Sequence, residues 1–366
     1  MKNKIRVYLQ YPWVFPDSPY YKYLLKYKPS GVNYINYSGS SGASISSKKL
    51  KIMNFFKYKI RELIRFLKMP FPAALLTRKQ KEDFDIIHCA HCMSLNNSPW
   101  IMDIEAPFQF WLSASPTWLG KKIVKRILLK DNCKKILSWT EETKKEAIAL
   151  FPELMEKIDM LYPAMAVPNI KKQKHSEINL LFVGRYFFAK GGLHALEIMD
   201  RLTKRYKNVK GIIISDVPED IKSRYSANRS IQFYGLMPQE ELFKRFYSKS
   251  DIFIYPGYSD SFGFAFLEAM AFKMPVVTVD GYARKEIIHH NVDGFVIPRK
   301  MKSFMEIGAH EEEMIKEMER VTSLLITNKK LRDSMSKSAF EKMLKGKFSV
   351  EKRNEKLKRI YEEALK

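Results

Sequence analysis

Two carboxylic acids lie eight residues apart around a glycine in the C-terminal half of the sequence. The stretch from Asp251 to Pro275 reads DIFIYPGYSDSFGFAFLEAMAFKMP, and the two acids are Asp260 and Glu268. An apolar strand, a turn-prone loop and a helix follow one another here, and the first N–H groups of a helix have no partner within it. Gly263 lets a phosphate approach the backbone closely, and carboxylates accept hydrogen bonds from sugar hydroxyls. The stretch therefore predicts a site for a molecule that carries both phosphate and hydroxyl groups.

A second group of candidate residues follows a predicted strand that begins at Ile178. Gly184 and Arg185 end this strand, and Lys190 and Gly191 come just before the next helix. A planar guanidinium fork and an ammonium group can bind anionic oxygens without a metal ion. The alternative interpretation is two surface cations beside an ordinary strand-to-helix turn.

The elements that must position these residues alternate along the whole chain. Strand-like and helix-like segments follow one another at the spacing of βαβ units, which predicts an α/β protein with doubly wound parallel sheets. The length of 366 residues is enough for two domains, each with its own core. The polar, basic run at residues 169–177 is the predicted linker.

These motifs together resemble a known family. Retaining nucleotide-sugar glycosyltransferases of the GT-B fold, family four, have two acids eight residues apart, a Ser-Phe-Gly or Gly-Phe-Gly stretch, and then Leu-Glu-Ala-Met-Ala. In this sequence Ser261–Gly263 and Leu267–Ala271 match that pattern, with Asp260 at the position of the first Glu. The run from Gly184 to Gly191 is similar to the Val-Gly-Arg and Lys-Gly pattern of the same family.

The resemblance implies a fold, an activity and a domain layout. The implied fold is GT-B, with two Rossmann-like domains facing across a cleft: an acceptor-binding domain at 1–168, a donor-binding domain at 169–345, and a C-terminal helix at 346–366 that packs back on the first domain. The implied activity is retaining transfer of a hexose from a UDP- or GDP-sugar to a glycan or lipid-linked acceptor, in surface polysaccharide or glycoconjugate biosynthesis. No cofactor or metal is expected.

The resemblance also implies roles for individual residues. Glu268 binds the ribose hydroxyls and Asp260 binds hydroxyls of the donor sugar. Glu105 follows a strand near the place where several family members carry a His close to the acceptor hydroxyl, and a carboxylate can also accept that proton. Alternatively, Glu105 is a strand-end acid that accepts local N–H groups. The expected nucleotide and diphosphate contacts are Gly184, Arg185, Lys190, Gly191, Gly235, Met237, Gly263, Phe264 and Glu268.

The run His88-Cys89-Ala90-His91-Cys92 has the residue types of a metal site. Because no second Cys/His cluster completes a structural zinc site, we interpret these residues as loop residues that face the cleft. The three cysteines of the chain do not form the pattern of a disulfide framework. Without a signal peptide or a long apolar run in the sequence, these features predict a cytoplasmic protein.

The chain carries a formal net charge of +24, which favours anionic partners. Residues 48–68 combine apolar side chains at helical spacing with many lysines and arginines, a pattern typical of a helix at an anionic membrane surface. The alternative is a surface helix whose apolar face packs on the N-terminal core. The membrane interpretation predicts a cytoplasmic protein that associates peripherally with the membrane.

Two other functions remain open at this point. A nucleic-acid-binding protein would fit the charge, but the sequence has no recognition motif and no concentrated basic groove with stacking aromatics, so no nucleic-acid partner is expected. A catalytically inactive relative that serves as a membrane or partner scaffold would fit the Asp at position 260 and the absence of glycines after the first strand.

Overall fold

The chain folds into two compact units in a computed structural model. The structure describes residues 4–11, 19–37, 59, 62–63, 66, 71–77, 83–112, 117–258, 262–299 and 311–366. The N-terminal unit holds residues 1–164 together with 350–366, and the C-terminal unit holds residues 165–349.

The described part of the N-terminal unit is built on a parallel six-stranded sheet. Its strands and helices are β1 (Ile5–Gln10), α1 (Pro19–Lys26), β2 (Val32–Tyr34), β3 (Ala74–Leu75), β4 (Ile86–Ala90), β5 (Met93–Ser94), β6 (Trp100–Ile104), α2 (Trp118–Leu128), β7 (Cys133–Ser138), α3 (Glu141–Leu150) and β8 (Ile158–Met160). The order across the main sheet is β2-β1-β4-β6-β7-β8, and β3 pairs with β5 in a separate ribbon. All of these pairings are parallel.

The described part of the C-terminal unit is a second parallel six-stranded sheet. Its elements are β9 (Ile178–Val183), α4 (Gly192–Arg205), β10 (Val209–Ile214), α5 (Glu219–Arg224), β11 (Ile231–Tyr234), α6 (Gln239–Arg245), β12 (Ile252–Ile254), α7 (Phe264–Ala271), β13 (Val276–Val279), α8 (Arg284–Ile287), β14 (Gly294–Ile297), α9 (Glu311–Thr327) and α10 (Lys329–Leu344). The strand order is β11-β10-β9-β12-β13-β14, and every pairing is parallel. A last helix, α11 (Val350–Ala364), belongs to the N-terminal unit.

The strands are apolar because a parallel sheet has helices on both faces and no face in water. All residues of β4, β6 and β12 are buried, as are five of the six residues of β9. Apolar runs of this kind, separated by helical segments, were the basis for predicting parallel sheets from the sequence. The prediction of doubly wound parallel sheets is confirmed.

Side chains mark the ends of two elements in the N-terminal unit. Strand β2 ends at Tyr34, and beyond it the Asn36 side chain donates to the Leu9 carbonyl at 2.8 Å and accepts from the Leu9 amide at 3.0 Å. Helix α2 begins at Trp118, where the Thr117 hydroxyl accepts from the Gly120 amide and caps the helix. Among the described residues, no helix has both the length and the apolar character to cross a bilayer.

Candidate functional site

The strand order of the C-terminal unit creates one place where two loops diverge. From β9 the chain moves outward through β10 and β11 in one direction, and then returns to place β12 on the other side of β9. Because β9 and β12 are parallel neighbours, their following loops leave from the same edge of the sheet. In open α/β sheets, ligands bind at such a switch point, beyond the carboxyl ends of the strands.

The turn after β9 contacts the loop after β12 directly. The Gly257 amide donates to the Lys190 carbonyl at 2.9 Å. Gly191 has φ +73°, and a Cβ at this position would come within 2.6 Å of Pro256 Cβ, so only glycine allows this close approach. The Arg185 side chain is exposed and Lys190 is partly buried. The two predicted cations therefore lie on a turn that packs against the loop leading to α7.

Helix α7 begins directly after a glycine in the left-handed region. Gly263 has φ 88° and ψ 70°, and no side chain caps this helix end. The first amides of α7, beginning at Phe264, therefore supply the donors and the positive potential expected at a helix N-terminus. Asp260 lies outside the described residues. Tyr258 and Phe262, which flank that gap, are buried.

Glu268 is buried on α7, with 8% of its surface exposed. Tyr247 donates its hydroxyl to Glu268 Oε2 at 3.0 Å, and the Gln239 amide donates to Oε1. Burial raises the pKa of Glu268 to about 7, against the opposing effect of these two hydrogen bonds. Each carboxylate oxygen can accept more than one hydrogen bond, so both retain capacity for ribose hydroxyls.

The two residues expected near the nucleobase lie on the connection from β11 to α6. Gly235 follows β11 directly and is exposed, and Met237 is partly buried. A Cβ at Gly235 would meet no atom within 4 Å. Because β11 is parallel to β10 and β9, this connection leaves from the same sheet edge as the turn after β9. It lies two strands away from β9.

Glu105 belongs to the N-terminal unit, where it follows β6 directly. Its backbone is held on both sides: the amide donates to Gln109 Oε1 at 2.7 Å, and the carbonyl accepts from the Thr143 hydroxyl at 2.8 Å. Thr143 is itself part of the N-terminal cap of α3, because its amide donates to the Thr140 hydroxyl at 2.9 Å. The position of Glu105 is thus fixed by the start of α3.

The interpretation of the histidine-cysteine run as a loop is wrong for its first three residues, which lie in a strand. His88 and Cys89 are fully buried residues of β4, because the strand extends to Ala90 and pairs with β6 on one side and β1 on the other. His91 follows the strand with a positive φ of 55°. All three cysteines are free thiols. Within the residues that the structure describes, no group of three or more His, Cys, Asp or Glu is arranged to hold a metal ion.

Sequence reasoning missed a buried hydrogen-bond network in the N-terminal unit. His88 Nε2 lies 2.8 Å from Asp103 Oδ2, and His88 Nδ1 lies 2.6 Å from the Tyr361 hydroxyl. Tyr20 and Tyr21 donate their hydroxyls to the same Asp103 carboxylate, at 3.4 and 3.2 Å. In the sequence, Asp103 is a lone acid in an apolar strand. That pattern predicts that the acid has a hydrogen-bond partner but does not identify the partner.

Comparison with known proteins identifies the family. Residues 166–342 match the family model described as glycosyl transferases group 1, and this range contains every candidate residue of the C-terminal unit. This range is almost the whole C-terminal unit, which belongs to this family. The chain is a glycosyltransferase.

Relatives match this glycosyltransferase over different shares of its length. An uncharacterized glycosyltransferase of Haemophilus influenzae is 25% identical over 259 residues, which is 68% of each chain. The amylovoran biosynthesis glycosyltransferase AmsK of Erwinia amylovora is 30% identical over 141 residues, covering 36% of this chain and 34% of AmsK.

Solved structures share the fold of this glycosyltransferase over 75% to 100% of its length. A glycosyltransferase from Rickettsia africae aligns over 100% of both chains with a TM-score of 0.66 and 16% identity. The Anabaena protein HepE, solved in complex with UDP, aligns over 97% of this chain and 98% of its own with a TM-score of 0.61 and 12% identity. This chain spans about half of TarM, 54%, with a TM-score of 0.57 and 17% identity. The predicted GT-B fold is confirmed.

Proposed function

We propose that this chain is a retaining glycosyltransferase of family four that transfers a hexose from a nucleotide diphosphate sugar to a hydroxyl of a glycan or lipid-linked acceptor. The observation that carries the proposal is the contact at the switch point between the turn holding Arg185 and Lys190 and the loop that leads to α7. The UDP bound to the similarly folded HepE supports a nucleotide at this kind of fold.

In the proposed reaction the bond between the sugar anomeric carbon and the diphosphate oxygen breaks, and the electron pair leaves with the nucleoside diphosphate. Arg185, Lys190 and the first amides of α7 stabilise the charge on this leaving group without a metal ion. Glu268 accepts hydrogen bonds from the ribose hydroxyls, and Asp260 from hydroxyls of the donor sugar. The acceptor oxygen then bonds to the anomeric carbon on the same face. Its proton passes to the leaving phosphate or to Glu105.

Nucleotide binding provides the first test. UDP, GDP and ADP and their sugars are added to the purified protein, and the melting temperature is recorded for each. A ligand at ten times its dissociation constant stabilises the folded state by about 1.4 kcal/mol, which is readily detected. A panel in which no nucleotide raises the melting temperature would exclude the proposal.

Hydrolysis or transfer of a donor sugar by the same protein separates an active enzyme from an inactive scaffold. An inactive relative would bind a nucleotide without consuming any donor of the panel. Salt-sensitive binding to random DNA with no donor turnover would instead favour the nucleic-acid alternative.

The role of Arg185 is tested by Arg185→Ala. We expect turnover to fall by about a hundredfold or more, because one planar donor to the leaving diphosphate is lost. Arg224→Ala is the matched control, since Arg224 is an exposed arginine of the same unit that pairs with Asp220 on α5. Equal turnover in the two variants would remove Arg185 from the mechanism.

The acceptor is proposed from two observations. The net charge of +24 favours an anionic or lipid-phosphate-linked acceptor. AmsK, a relative by sequence, is named for the biosynthesis of amylovoran, and another relative is an uncharacterized protein of the Klebsiella pneumoniae cps region. We therefore propose a role in the biosynthesis of a surface polysaccharide or glycoconjugate.

We also propose that residues 48–68 bind an anionic membrane surface. Most of this segment lies outside the described residues. Within it, Leu63 and Phe66 are 58% and 83% exposed, so these side chains are not packed on a core. Apolar side chains that stay in water beside lysines favour an interfacial role over the alternative of a packed surface helix.

Sedimentation with vesicles tests the membrane proposal. At low salt we expect the protein to pellet with phosphatidylglycerol vesicles but not with phosphatidylcholine vesicles, and Phe66→Ser to reduce the pelleted fraction. Absence of the protein from the acidic-vesicle pellet would contradict the proposal.

A further inference from the structure

The turn that carries Arg185 and Lys190 is closed by its own backbone hydrogen bonds. The Lys190 amide donates to the Tyr186 carbonyl at 3.0 Å, and the Gly192 amide donates to the Phe187 carbonyl at 2.8 Å. Phe187 is buried and its ring lies against Gly192, where a Cβ would come within 2.2 Å of it. The turn therefore has one compact conformation, held at its far end by α4.

One residue of the turn adopts a costly backbone conformation. Tyr186 has φ +62°, in the left-handed region where the backbone of a non-glycine residue is strained. Its side chain is exposed, so packing of its ring does not hold it there. Some other interaction must offset this strain.

That interaction comes from the end of β10. Asp216 Oδ1 accepts from the amide of Phe187, the residue directly after Tyr186, at 3.0 Å. The buried Ser215 hydroxyl lies 3.0 Å from Asp216 Oδ1 and within hydrogen-bond distance of the Gly184 carbonyl. The Asp216 carboxylate therefore holds the backbone of the turn next to its strained residue.

Asp216 is exposed, and the slight desolvation of its carboxyl group opposes ionisation less than the Phe187 amide and the Ser215 hydroxyl favour it. The pKa of Asp216 is therefore lowered from its ordinary value. The residue carries a negative charge at neutral pH close to a turn whose expected ligand is a diphosphate. Electrostatic repulsion alone would make such a residue harmful to binding.

We propose that Asp216 is a positioning residue: its carboxylate holds the Phe187 amide, next to the strained Tyr186, and thereby sets Arg185 and Lys190 in place to bind the diphosphate. This inference rests on the proposed function. The direction of the change in affinity distinguishes the two effects. Loss of Asp216 weakens diphosphate binding if positioning dominates and strengthens it if repulsion dominates.

Calorimetric titration with UDP, GDP or ADP, whichever stabilises the wild type most, tests the proposal, with the matching nucleoside as the second probe. We expect Asp216→Ala to weaken binding of the diphosphate about tenfold and to leave binding of the nucleoside unchanged, because only the phosphate contacts depend on the turn. Asp216→Asn keeps an oxygen acceptor and should recover most of the affinity. Asp333→Ala is the control for net charge, since Asp333 is an exposed acid of α10 that pairs with Lys329.

The Tyr186→Gly protein tests whether Asp216 acts through the backbone of the turn. Glycine adopts positive φ without strain, so a Tyr186→Gly protein needs the carboxylate less. We expect Asp216→Ala to cost less than about threefold in diphosphate affinity in this background. An equal cost in both backgrounds would show that Asp216 does not act through the turn.

The outcomes separate the two proposals. A wild-type protein that binds none of the three diphosphates would overturn the proposed function and the role of Asp216 with it. A wild-type protein that binds, with an Asp216→Ala protein that binds equally or more tightly, would overturn the positioning role alone. Because Asp216→Asn keeps the shape of the side chain, it provides the comparison if the alanine variant does not fold.

Discussion

At the scale of single residues, Glu268 combines two properties that rarely occur together. In the proposed function it accepts hydrogen bonds from ribose hydroxyls, and it is buried on α7, whose other buried residues are apolar. Burial disfavours its charged form, and the donors Gln239 and Tyr247 only partly offset this effect. The residue therefore titrates near neutral pH, and its charge is a source of instability in the folded protein.

Glu268→Gln should change how stability depends on pH. Because the folded-state pKa of about 7 lies above the ordinary value of 4.5, the folded protein retains a proton that the unfolded chain releases. Stability therefore falls as pH rises between these two values, by up to a few kcal/mol. We expect the variant to lack this decline, so that it is more stable relative to the wild type at about pH 8 than at about pH 5. Urea unfolding at both pH values measures the difference.

Glu219→Gln is the control for this experiment, since Glu219 is an exposed acid at the start of α5 that pairs with Lys222. The same pH dependence in the Glu268→Gln protein and the wild type would contradict the raised pKa.

At the scale of elements, the entry of the turn into α4 depends on two successive glycines. Gly191 allows contact with Pro256, and Gly192 leaves room for the Phe187 ring. The two contacts face different neighbours: the loop after β12 in the first case and the turn itself in the second. The geometry of the candidate site is therefore a property of how these two connections pack, and not of any one motif.

Gly192→Ala should destabilise the C-terminal unit. Its Cβ would lie 2.2 Å from a Phe187 ring carbon and 2.8 Å from the Phe187 carbonyl oxygen, so the turn would have to shift. Overpacking of this kind costs about 1–3 kcal/mol. Gly235→Ala is the control for unfolding free energy, because its Cβ would meet no atom within 4 Å. Equal unfolding free energies for the two variants would contradict the packing described for the turn.

At the scale of the whole molecule, the N-terminal unit is completed by the end of the chain. Helix α11 supplies Tyr361, which bonds to His88 and lies 3.1 Å from the Tyr34 hydroxyl. It also supplies the buried Arg353, which donates to the Tyr27 carbonyl at 2.9 Å. These contacts join residues more than 270 positions apart in the sequence.

Deletion of residues 350–366 should therefore destabilise the N-terminal unit and not the C-terminal one. Tyr34 of β2 and His88 of β4 would lose their contacts with Tyr361. For His88, the loss of one of its two partners costs about 1–3 kcal/mol. Scanning calorimetry should show one transition moved to lower temperature. The melting shift caused by a bound nucleotide, which belongs to residues 165–349 in our proposal, should persist. Loss of both transitions together would contradict this division.

The sequence by itself determined the features that depend on neighbouring residues. Apolar runs separated by helical segments specify parallel strands and their crossovers, and a glycine before a helix specifies a helix N-terminus with unpaired amides. Arg185 and Lys190 share one short turn, so their proximity also followed from the sequence. For the same reason the group of candidate residues around α7 could be named before the structure.

Only the tertiary structure decided which distant residues complete the site. Tyr247 and Gln239 reach Glu268 from 21 and 29 positions away, and Asp216 reaches Phe187 from 29. These contacts depend on which strands are neighbours in the sheet, namely β10 and β12 on the two sides of β9. Strand order is set by burial summed over a whole sheet, and no short-range spacing in the chain encodes it.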